Sequence, residues 1–143
     1  MDFRLEVVVL PVSDVDRSLA FYTEQVGFTL DIDYRPSADF RVVQLTPPGS
    51  ACSIQLVAAP PGRHPDPDRS IYLVVVDIDL ARAELLDRGV DVGDIRHKAA
   101  GNQWRGGWEP AVDPERRDYA SFLDFTDPDG NRWVLQERGF PGD

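Results

Sequence analysis

Few side chains in this sequence can act as a base, a nucleophile or a soft metal ligand. His64 and His97 are the only histidines and Cys52 is the only cysteine. An imidazole titrates near neutral pH and serves as general base or metal ligand, but both histidines fall in predicted loops beside proline, arginine or lysine, where solvated rings are expected. His97 is the better candidate, because its loop could cover a pocket. One thiol cannot form an intrachain disulfide or a multi-thiolate zinc site. Cys52 opens a strand-like run through Leu56 with no basic neighbour to generate a thiolate, so a buried core thiol is expected there. The remaining chemistry-bearing feature is aromatic. Between Arg96 and Asp118 lies a segment rich in glycine, proline, tryptophan and charge, longer than a hairpin loop needs, containing Trp104 and Trp108. Such indoles either close as a lid over an apolar or planar ligand or dock on the protein's own surface or a partner subunit. Glu109 lies in the same segment as a possible proton carrier, and the charged end, residues 113–118, reads as a solvated turn.

The elements that would position these groups repeat. Leu5 to Val12 is a β-branched strand, and Ser13 and Asp14 supply N-cap chemistry for a helix whose apolar stripe is Val15, Leu19, Tyr22 and Val26. Gly27 ends it. Phe28 to Tyr34, Phe40 to Thr46 and Cys52 to Ala58 then read as strands separated by turn-rich segments. After the proline-rich hinge of residues 60–69 the order recurs: a strand from Ser70 to Val76, acidic residues Asp77 and Asp79, a helix with Ile78, Ala81, Leu85 and Leu86 as its stripe, and Gly89. Val90 to Ile95, Tyr119 to Phe125 and Asn131 to Glu137 complete the second set, with Asp127-Pro128-Asp129-Gly130 as the last turn. The reading is α+β, a single domain over residues 1–143. It comprises two βαβββ modules, about 4–59 and 70–138.

With 143 residues and 42% hydrophobic content the chain supports one good core. A formal net charge of −10 disfavours nucleic acid and anionic membrane surfaces. No apolar run nears the roughly 18 residues of a membrane span, and the first residues lack a secretory layout, so a cytoplasmic protein is expected.

Residues 10–22, Leu-Pro-Val-Ser-Asp-Val-Asp-Arg-Ser-Leu-Ala-Phe-Tyr, and 127–131, Asp-Pro-Asp-Gly-Asn, resemble the vicinal oxygen chelate superfamily. That group includes glyoxalase I, bleomycin-resistance proteins, extradiol dioxygenases and fosfomycin-resistance enzymes. The resemblance spans nearly the whole chain and implies that the modules form a curved mixed sheet around a cleft, often in a homodimer. In metal-dependent relatives one side chain from each of four strands binds a divalent ion. Matched to this sequence, those positions are Val7, Gln55, Ser70 and Val134. Valine offers no lone pair and neutral Gln and Ser only weak ones, so neither a metal nor any other cofactor is expected.

Two functions follow. One is a metal-free protein that sequesters a small apolar, planar or cationic molecule, as bleomycin-resistance proteins do, with Val7, Gln55, Ser70, Trp104, Trp108 and Val134 around the ligand. The other is a lyase, isomerase or cyclase in which Gln55, Ser70, His97 or Glu109 positions groups or moves protons.

Overall fold

In each half of the chain a β-branched strand runs into an aspartate that starts a helix. Asp14 has an extended backbone (φ −138°, ψ 103°) and its carboxylate accepts a hydrogen bond from the Arg17 N–H at 3.1 Å. Asp77 does the same (φ −140°, ψ 101°), accepting from the Leu80 N–H at 3.0 Å. Each thereby satisfies an amide that the first helical turn leaves without a partner. The computed structural model describes residues 1–60, 62–99 and 107–141. The chain divides into two units, Met1–Pro65 and Asp66–Asp143.

The first unit contains β1 (Val7–Val12), α1 (Val15–Ala20), a π-helical continuation (Phe21–Val26), β2 (Thr29–Ser37), β3 (Phe40–Thr46) and β4 (Ser53–Ala58). Its sheet has the order β1-β4-β3-β2, with β1 parallel to β4 and the other pairs antiparallel. The helix covers one face, where Leu10, Val12, Val43, Leu45, Ile54 and Leu56 are buried. The predicted stripe shifts at the π-turn, whose wider ring turns Phe21 as well as Tyr22 inward. Both rings are buried, Phe21 edge-on to Tyr22 at 5.1 Å and Tyr22 stacked on Phe28 at 5.6 Å. Gly27, at φ 89°, takes the left-handed turn that ends the helix, and the Phe28 N–H closes back on the Tyr22 carbonyl at 2.8 Å. On the same face Arg41 bridges Asp33 and Asp16, and its hydrogen bond holds the Asp33 carboxyl below the usual range.

The second unit contains β5 (Ser70–Val75), α2 (Ile78–Asp87), β6 (Arg96–Lys98), β7 (Trp108–Pro110), β8 (Ser121–Thr126) and β9 (Arg132–Glu137). Its strand order, β5-β9-β8-β6-β7, is the first unit's order with β7 added at one edge. Phe125 stacks on Trp133 at 6.0 Å in a core completed by Ile78, Leu85, Leu123 and Leu135. The motif of residues 127–131 is architectural. The Asp127 carboxylate accepts hydrogen bonds from the Asp129 and Asn131 N–H groups and the Asn131 amide, while Gly130 adopts φ 89°. Among the described residues no helix is long and apolar enough to cross a membrane.

Several expectations need correction. The strand expected over Val90 to Ile95 lies instead at Arg96–Lys98, and Val92 makes only a single bridge to Phe125. The Gly93 N–H donates to the Asp124 carbonyl, holding this stretch against the sheet before regular pairing begins. Leu86 is exposed rather than part of the buried stripe, and Cys52 is half-buried just before β4.

Residues 113–118 turn as expected but are only partly solvated: Pro114, Glu115 and Asp118 are exposed, Asp113 is buried, and Arg116 and Arg117 are half-buried. Arg116 donates to both carboxylate oxygens of Glu137, at 3.0 Å each. The Glu137 residue is fully buried, and its Oε2 also accepts from the Ile78 N–H at 3.0 Å. Removing one member of a buried pair leaves the other uncompensated. Glu137→Ala is therefore expected to cost about 3–5 kcal/mol in urea unfolding, far more than a surface substitution such as Glu84→Ala.

Candidate functional site

Side chains alternate across a strand, so the residues between the core positions share the sheet face turned away from the helix, the far face. In the first unit Val7 and Gln55 lie on it, in adjacent strands and offset by two positions, because Val7 pairs with Ser53 and Val9 with Gln55. In the second unit Ser70 and Val134 hold the matching places, Ser70 pairing with Arg132 and Tyr72 with Val134. The repeat thus carries the four sequence-derived positions to equivalent registers.

The two far faces differ in chemistry. On the first, Val7, Val9, Gln44, Gln55, Val57, Ile32 and Tyr34 present apolar and amide groups, with Val9 half exposed and Tyr34 slightly more. Thr46 bridges Asp31 and Ser53, meeting the Ser53 hydroxyl at 2.6 Å. On the second, Asp124 sits between two guanidinium groups, accepting from Arg96 at 3.1 Å and from Arg132 at 3.0 and 3.2 Å. The Ser70 hydroxyl accepts from Arg132 at 3.3 Å, and Val134 is fully buried.

These residues do not fit the divalent ion of metal-dependent relatives. Val7 and Val134 have no donor atom, Val134 is out of reach, and the Ser70 oxygen is held by a cation that repels a metal. Only Gln55 remains. Among the described residues no three His, Cys, Asp or Glu side chains cluster as a metal site.

Trp108, on β7, also lies on the far face of the second unit. Its ring meets Phe122 edge-on at 5.1 Å, with the Lys98 Nζ 4.1 Å and the Arg96 Cζ 4.6 Å from its centroid. The described part of the expected loop is therefore a hairpin joined to the sheet, and Trp108 stands on its own unit with 47% of its surface exposed. Trp104 lies outside the described residues. Sequence reasoning missed Arg96, Lys98 and Phe122, whose only signal was the alternation Arg96-His97-Lys98 opposite an aromatic strand.

His97 faces the other way and is not solvated. It is buried, with Nδ1 2.8 Å from the Ala111 carbonyl and Nε2 3.2 Å from the Glu109 carboxylate. Since the carbonyl can only accept, Nδ1 carries the proton there, and both nitrogens are occupied in fastening β7 to β6. His64 remains exposed.

A second clamp lies nearby. Asp113 accepts from the Arg117 N–H and guanidinium at 2.8 Å, and Arg117 also donates to the Lys98 carbonyl. Burial by itself would push the Asp113 carboxyl up, but the hydrogen bonds from Arg117 outweigh it and hold the group below its ordinary value.

Comparison with known proteins places this arrangement. The family model described as Glyoxalase/Bleomycin resistance protein/Dioxygenase superfamily matches residues 4–135, and the chain belongs to that superfamily. Among solved structures it is similar to TnmS3, an antibiotic binding protein from Streptomyces sp. CB03234. The identity is 29%, with 95% of this chain and 96% of that one covered and a TM-score of 0.67. A glyoxalase/bleomycin resistance protein from the same Streptomyces is 30% identical over 94% of this chain and 100% of that one, with a TM-score of 0.65. A superfamily member from Sphaerobacter thermophilus DSM 20745 is 26% identical over 96% and 98%, with a TM-score of 0.68. A search of curated protein sequences finds no match.

Because the Asp113 carboxyl titrates lower folded than unfolded, where about 3.9 is usual, its contribution is present above roughly pH 4. It is lost as pH falls through the folded value. Asp113→Asn should therefore be less stable than the parent at pH 7 in denaturant unfolding, with the gap closing once the pH has fallen below the ordinary carboxylate range and the folded carboxyl is protonated. A gap independent of pH would mean that the carboxylate's charge plays no part.

Proposed function

We propose that this chain is a metal-independent binding protein that sequesters a small, flat, mainly apolar molecule, for which each unit offers an exposed far sheet face. The observation that carries the proposal is the composition of those faces. They combine half-exposed apolar and aromatic side chains with a few polar groups, and the positions that would hold a catalytic ion are Val7, Gln55, Ser70 and Val134. Apolar walls with sparse hydrogen-bonding groups suit ligand retention. Gln55 keeps an amide for orienting a ligand, whereas Ser70 acts through Arg132. The likeness to TnmS3, described as an antibiotic binding protein, supports binding over turnover. So does the engagement of both His97 nitrogens, which leaves that ring unsuited to moving a substrate proton.

The test uses 2-naphthamide as a neutral flat probe in titration calorimetry. Dialysis against EDTA should change neither its affinity nor the melting temperature, and metal analysis of desalted protein should find no stoichiometric Zn, Ni, Fe or Mn. Trp108→Ala should weaken binding by about 1–3 kcal/mol. A chelator-dependent loss of affinity, or a stoichiometric ion, would overturn metal independence; unchanged affinity in Trp108→Ala would remove the far face of the second unit from the site.

A further inference from the structure

Every charged far-face side chain of the second unit's strands bears on one patch. Arg96, Lys98 and Arg132 supply three cations, and Asp124 the one carboxylate. The patch therefore has a surplus of two positive charges in a chain whose formal net charge is −10. Asp124 is shared by Arg96 and Arg132 and has little capacity left for a third cation. Among the described residues the Lys98 ammonium has no carboxylate partner, and the contact it makes is with the Trp108 ring at 4.1 Å.

Such an arrangement is costly unless something neutralises it. Two cations are held within 5 Å of one indole centroid, at 4.1 and 4.6 Å, where mutual repulsion opposes the gain from each ring contact. We infer that the patch formed by Lys98, Arg96 and Trp108, with the buried Phe122 ring behind it, recognises a flat aromatic ligand bearing an acidic group, a carboxylate or phenolate, rather than a cationic one. This rests on the binding function proposed above and specifies its ligand class. The aromatic part of the ligand takes the exposed half of the indole, and its anionic oxygen takes the ammonium and the guanidinium edge.

The overall negative charge argues for a cation, but only at long range. At physiological ionic strength, charges beyond about 8 Å are largely screened, while a contact ion pair at the patch is not. The groups that touch the ligand decide its sign.

Three probes of one shape test this: 2-naphthoate, 2-naphthamide and 2-naphthyltrimethylammonium, titrated calorimetrically into the full chain. The naphthoate should bind about tenfold more tightly than the amide and the cation most weakly, the preference shrinking as salt rises from about 0.05 to 0.5 M. Lys98→Gln should lower naphthoate affinity about five- to tenfold, with a much smaller effect on the amide, and Lys98→Arg should keep the preference. If the naphthoate binds no more tightly than the amide, or Lys98→Gln leaves it unchanged, the ligand class is wrong. Where the amide still binds and loses affinity in Trp108→Ala, the binding function stands without that class. Absence of binding by all three probes overturns both.

Discussion

A carboxylate without access to solvent needs hydrogen-bond donors on both of its oxygens. Glu137 meets that condition with an amide from the first turn of α2 and a two-pronged guanidinium from Arg116. One group at the end of β9 thereby fixes where α2 begins and where the chain returning from β7 must pass. Arg116 reaches it from a left-handed backbone, φ 50°, which a non-glycine residue adopts only when its surroundings enforce it. The Asp113–Arg117 pair and the buried His97 continue the same fastening toward β6 and β7. What looks from sequence like a mobile aromatic loop is, over its described residues, a strand held by successive polar clamps. The orientation of Trp108 is a consequence.

The two units share their strand order apart from β7, and their helices start with the same aspartate geometry, yet the far faces have diverged. Where the first has Tyr34, Gln44, Ser53 and Gln55, the second has Arg96, Asp124, Arg132 and Val134 at corresponding registers. The helix-covered faces remain mainly apolar in both, and the charged groups there, Arg41 with Asp33 in the first and Glu137 in the second, are held in ion pairs. Packing constrains the covered side of each sheet, and the other side is where one backbone can carry different chemistry.

Local chemistry was legible from sequence where a single residue decides the backbone. Asp14, Asp77 and Gly27 cap helices, Asp127 and Gly130 build a turn, and Phe40–Thr46 is a strand with the expected limits. Features settled by partners distant in sequence were not. Val90 to Ile95 has strand composition, but β8 offers its ladder opposite Arg96 and His97. The π-turn follows from accommodating two rings, Phe21 and Tyr22, beneath one short helix. Arg96-His97-Lys98 reads as a polar loop because its cations find aromatic rather than aqueous surroundings only after Trp108 and Phe122 are brought beside it.

The strands at the β2 and β7 edges also bear on how the molecule avoids its neighbours. β7 is three residues long and ends in Pro110, while β2 is long but contains Pro36 and two breaks in register against β3. An incoming strand needs an uninterrupted row of amides and carbonyls, and neither edge provides one. These two borders are poor templates for amyloid-like growth, so Tyr34 can stay available on a sheet face without inviting extension at the β2 edge.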